Sequence, residues 1–135
     1  TFECTCIRAF PGGKMIEPYP HIISTATDTE VDRIQVTAVE QGVYKVFYSP
    51  DRKRVLTCLL NGQINIFNNA TDLHASQKVM KSAGTALRGF AFAADGKTAL
   101  VGNHREGTIT RIDLDTAAVI STFSAEKGVE TLAYY

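Results

Sequence analysis

Residues 87–123 read without interruption as four short strands joined by turns of nameable chemistry, and much of the remaining chain repeats that plan. Residues 87–92 (LRGFAF) alternate large and small side chains, Ala94-Asp95-Gly96-Lys97 supplies a tight turn, 98–103 (TALVGN) is an apolar run, and His104-Arg105-Glu106-Gly107 is a polar loop. In the next strand, Thr108-Ile109-Thr110-Arg111-Ile112, a period of two sets Ile109 and the aliphatic part of Arg111 on one face. Thr108, Thr110 and Ile112 fall on the other. Asp113-Leu114-Asp115-Thr116 then turns the chain into 118–123 (AVISTF), whose β-branched residues suit a pleated surface. One sheet of four strands is the predicted unit.

The unit recurs. An offset of about 44 residues aligns Ile22-Ile23-Ser24-Thr25-Ala26-Thr27-Asp28 with Ile66-Phe67-Asn68-Asn69-Ala70-Thr71-Asp72. Each unit also carries an aromatic residue before a turn that closes on Lys: Phe10-Pro11-Gly12-Gly13-Lys14, Tyr48-Ser49-Pro50-Asp51-Arg52-Lys53 and Phe92-Ala93-Ala94-Asp95-Gly96-Lys97. The aromatic ends a strand, and Pro, Asp and Gly make the turn. The first unit predicts strands near 2–10, 14–18, 21–26 and 31–36, the second of them weakened by Pro18 and Pro20. The second unit predicts 43–48, 54–59, 63–68 and 75–80, with Asn61-Gly62 as a tight hairpin connection. After Lys127-Gly128, residues 131–135 (TLAYY) match the first strand of a further unit.

A period of roughly 40 to 45 residues with four strands per unit resembles a β-propeller blade. The pattern aromatic-x-x-Asp-Gly-Lys, then Gly-Thr-Ile-x-x-Ile-Asp, then Asp-Thr is similar to the WD-repeat and related, looser propeller repeats. The WD pattern itself is not met: the chain has no Trp, Phe67-Asn68 and Ile112-Asp113 stand where Trp-Asp belongs, and Gly84-Thr85 and Gly128-Val129 stand where Gly-His belongs. The resemblance implies an all-β, partial propeller over 1–135, with blades near 1–37, 43–81 and 87–124 and an extra strand at 131–135. Propellers close with ~4–8 blades, so three blades and a strand leave apolar faces to cover. The expected cover is the rest of a longer propeller chain, to which the lack of an opening methionine also points, or copies of the chain that self-associate. An isolated copy is expected to be poorly stable.

Fourteen basic residues balance fourteen acidic ones, so no net field would draw the chain to nucleic acid or an anionic membrane. No apolar run approaches the ~20 residues that span a bilayer. Of three cysteines, Cys4 and Cys6 sit two apart on one expected strand and Cys58 is distant. Same-face neighbours are poorly placed for a disulfide. Reduced, buried thiols in a cytoplasmic setting are the expectation.

Chemistry is sparse. Asn103-His104-Arg105-Glu106 sets four functional side chains in a row in the connection that faces the usual ligand side of such propellers; with Asn61 it forms the candidate binding set, a solvated loop being the plainer reading. His21 and His74 have no second His or Cys at metal-ligand spacing, so no metal site is expected. Asp113 and Asp115 are read as turn-forming rather than catalytic. Arg52-Lys53-Arg54 is read as a solvated turn on the opposite face. No nucleophile elbow or phosphate loop occurs, so neither catalytic residue nor cofactor is assigned. The favoured function is a non-enzymatic interaction module or scaffold that presents loops to other protein subunits. The alternative is an extracytoplasmic, cofactor-binding propeller enzyme, similar to quinoprotein dehydrogenases or lactonases. The expected core comprises Val46, Tyr48, Leu56, Ile64, Ile66, Phe90, Phe92, Leu100, Ile109 and Ile112, with no helix longer than about two turns.

Overall fold

The computed structural model describes residues 2–3, 21–24, 26–34, 43–69 and 72–133. The strand expected at 14–18, with Cys4 and Cys6, lies outside them. Every described strand pairs antiparallel with its chain neighbour within one of three sheets. The first holds β1 (Phe2–Glu3), β2 (His21–Ser24) and β3 (Thr29–Arg33) in that order. The second holds β4 (Val43–Tyr48), β5 (Val55–Leu59), β6 (Gln63–Phe67) and β7 (Gln77–Lys81). The third holds β8 (Leu87–Phe92), β9 (Thr98–Asn103), β10 (Thr108–Asp113) and β11 (Ala118–Ser124). Among the described residues the only helix is the single turn α1 (Leu73–Ser76), started by Asp72, whose Oδ1 accepts the Ala75 N–H. The fold is all-β.

The second sheet lies between the other two. All five residues of β5 are buried, because its alternate side chains enter different cores. Leu56, Cys58, Ile64, Ile66 and Met80 pack against Leu87, Ala99, Val101 and Ile112 of the third sheet. Val55, Leu59 and Phe67 face Ile22 and Ile34 beside the first. Phe47 and Phe90 join the second and third sheets through stacked rings, centroids 4.9 Å apart.

Among the described residues, the third sheet packs against another sheet on one face only. Residues directly opposite across a ladder share a face, so pairing of Arg111 with Leu100, and of Ile109 with both Gly102 and Phe123, gathers these side chains on the face turned away from β4–β7. Leu100 and Ile109 are half-buried there, and Phe123 is 46% exposed. The final stretch of chain crosses this face: a Cβ on Gly102 would lie 2.7 Å from Val129 Cγ1, and one on Gly89 2.9 Å from Leu132 Cγ. Residues 131–133 accordingly join no ladder, in contrast to the strand expected there.

Of the expected core, Leu56, Ile64, Ile66 and Ile112 are buried, while Val46, Phe90, Phe92, Leu100 and Ile109 are half-buried. Tyr48 is 37% exposed. The expectation required both faces of every sheet to be covered, and among the described residues only the middle sheet approaches that condition.

Candidate functional site

The connections fall into two groups at opposite ends of the strands. One end carries 60–62, 82–86, 104–107 and the stretch after β11; the other carries the β4–β5, β6–β7, β8–β9 and β10–β11 connections. At the first end the backbone is tied in three places: the Ala86 N–H donates to Leu60 O at 2.8 Å, joining the start of the third sheet to the second, Ser82 N–H to Gly62 O at 2.9 Å, extending the β6–β7 ladder, and Gly128 N–H to His104 O at 3.0 Å, holding the stretch after β11 to the β9–β10 loop. Glu106 adds a side-chain brace, accepting the Thr85 N–H at 2.9 Å and the Thr85 hydroxyl at 2.8 Å. These bonds, the amide above all, hold the Glu106 carboxyl below the usual carboxylate range. Gly84 makes the approach feasible, since a Cβ there would fall 2.6 Å from both Asn103 Cβ and Glu106 Oε2.

The five candidate residues share this end but have different surroundings. Asn103 is wholly buried. Its amide nitrogen donates to Thr108 Oγ1 at 2.9 Å and Thr110 Oγ1 at 2.8 Å, and its oxygen accepts the Ser82 hydroxyl at 2.6 Å. That cluster satisfies polar groups inside the stack. Asn61 closes its turn by accepting the Gln63 N–H at 2.9 Å. His104 is half-buried, with Nδ1 3.9 Å from Glu130 Oε1, the oxygen that also accepts from Arg88 Nη1 at 3.3 Å. Arg105 is exposed. A polar rim carrying Arg105, His104 and Glu130 thus stands on a buried amide network.

Sequence reasoning missed Thr85, Arg88, Glu130 and Ser82. A signal existed for Ser82 alone, because Thr108, Thr110 and Thr122 place hydroxyls on one face by the period of two and so ask for a polar partner.

At the opposite end Arg54, read from sequence as solvated, is engaged: its Nη1 donates to Asn68 Oδ1 at 3.0 Å and its Nη2 to Asp115 Oδ1 at 2.6 Å. Lys78 Nζ donates to the Asp115 carbonyl. Asp113 accepts the N–H groups of Asp115 and Thr116, a turn role, and the Thr116 amide chiefly lowers its carboxyl below the ordinary range. Asp51 and Asp95 serve their turns likewise, accepting from Lys53 and Lys97 N–H. Among the described residues, no group of three or more His, Cys, Asp or Glu is placed to hold a metal ion, and no helix is long and apolar enough to cross a membrane. No family model matches the chain, and no curated protein does.

Proposed function

We propose that the chain is a non-enzymatic interaction module, a portion of a β-propeller that presents loops on a stack of sheets to other protein subunits. Three sheets of consecutive antiparallel strands, stacked face to face, support the architecture. The observation that carries the function is the brace across the first end: backbone bonds from 82–86 to Leu60 and Gly62, with Thr85 held by Glu106, lock the loops of neighbouring sheets together. Exposed Arg105 and half-buried His104 are therefore offered on a preorganised base, which lowers the ordering cost of association. The partner that fits a rim of mixed charge is another protein surface rather than a polyanion. A reducing, cytoplasmic setting belongs to the proposal, and the buried Cys58 thiol is compatible with it.

The test is association of the chain with its co-purifying partner, followed by light scattering. Arg105→Glu is expected to weaken it at least tenfold, and Lys53→Glu, at the opposite end, to leave it unchanged. Equal behaviour of the two variants, or a stoichiometric metal or chromophore in purified material, would overturn the reading.

A further inference from the structure

Each sheet has two edge strands, and of the five described edges other than β1, four carry charge: Glu30, Asp32 and Arg33 in β3, Lys45 in β4, Lys78 and Lys81 in β7, and Arg88 in β8. Charged side chains on an edge oppose pairing with another strand. β11 differs. Its seven residues, AVISTFS, include no charge, Gly or Pro, and all seven are exposed, with Val119, Ile120 and Phe123 at 45%, 48% and 46%. It is also the longest described strand. Its inner side pairs with β10 from Asp113 to Thr108, while among the described residues no strand pairs with its outer side.

We infer that β11 is a docking edge for β11 of a second copy, paired antiparallel about a two-fold axis so that two four-stranded sheets become one of eight. The charge pattern selects this occupant. A two-fold sets each edge against itself, which would oppose like charges on β7 but opposes none on β11. The faces also agree. Within 121–124 the ladder sets Ser121 and Phe123 on one face and Thr122 and Ser124 on the other. An antiparallel two-fold centred on a residue pairs positions of equal parity, so each Phe123 meets a residue on its own face. Two such chains keep their braced loop ends free, so this association adds to the proposed interaction and does not depend on it.

Sedimentation of the full chain across the micromolar range tests the inference. The unaltered chain is expected to form two-copy particles, Phe123→Lys to reduce them to single copies, and Val31→Lys on β3 to leave them intact. Circular dichroism verifies that each variant keeps its strands. Amide exchange supplies a second readout that needs no substitution: 118–124 should slow as concentration rises. A chain that stays single-copy throughout, as it would if this edge served a strand of a different protein, overturns the inference. So does a two-copy particle that survives Phe123→Lys with 118–124 still exchanging fast.

Discussion

The second and third sheets share a topology but differ in what covers them. β5 sits between two cores and buries every residue. β9, its counterpart, keeps Leu100 half-buried on a face that, among the described residues, is crossed only by the last stretch of chain. Both carry a buried amide on the face turned toward the preceding sheet, reached from different strands. Asn65 in β6 lies opposite Thr57 and donates to its hydroxyl at 3.2 Å, while its oxygen accepts from Gln63 and Gln77. Asn103 in β9 lies opposite Thr108 and serves Thr108, Thr110 and Ser82. What persists between the sheets is therefore the location of a satisfied polar group in the interface. The Asn103 group also pins register between sheets, because Ser82 follows β7 and sliding the third sheet on the second would strand its hydroxyl, whereas Asn65 bonds within its own sheet.

Substitution of matched apolar residues gives the largest expected contrast. Leu56→Ala, in a core closed on both sides, should cost ~2–5 kcal/mol. Leu100→Ala should cost only about 1–2 kcal/mol, since part of its side chain already meets water. Urea unfolding of the two variants measures this, and equal losses would mean that the outer face of the third sheet is as well covered as the middle sheet.

The amides give the next effect. Asn103→Ala removes the amide that serves the Ser82, Thr108 and Thr110 hydroxyls, leaving Ser82 and Thr110 their mutual bond at 3.2 Å, and should cost ~1–3 kcal/mol, with Asn65→Ala similar. If location matters rather than strand, Thr57→Asn combined with Asn65→Thr should recover part of the loss of Asn65→Thr alone. A double variant worse than the sum of its single changes would tie the amide to its strand.

The smallest effect is specific to the middle sheet. Burial pushes the Cys58 thiol up from 9.0 to about 12. Because the folded state holds the proton more tightly than the unfolded chain, stability is unaffected below pH 9 and falls as pH rises from about 9 toward 12. Cys58→Ala should remove that part of the alkaline loss, and in the folded chain a thiol reagent at pH 8 should leave Cys58 unlabelled. Rapid labelling in the absence of denaturant would contradict the closed core.

The strands of the second and third units were readable because their signals are local. An aromatic residue, an Asp or Gly turn and a period of two need no knowledge of distant residues, and residues 87–92 and 98–103 emerge with the bounds expected. α1 replaced the start of a strand expected at 75–80, although the Asp72 cap was there to be read. What escaped is long-range. Thr85 meets Glu106 at a sequence separation of 21 and Arg88 meets Glu130 at one of 42, and no spacing rule connects them. Asn103 looked like a ligand residue because its neighbours in sequence are polar; its burial depends on Ser82 and on the sheet stacked against it.

Amide hydrogen exchange resolved by residue bears on the stacking itself. With the middle sheet sandwiched and the third covered on one face, protection should be greatest in β5 and β6, intermediate in β9 and β10, and least at the outer edges of β3 and β7. Protection in β9 and β10 equal to or above that in β5 and β6 would contradict the sandwiched arrangement.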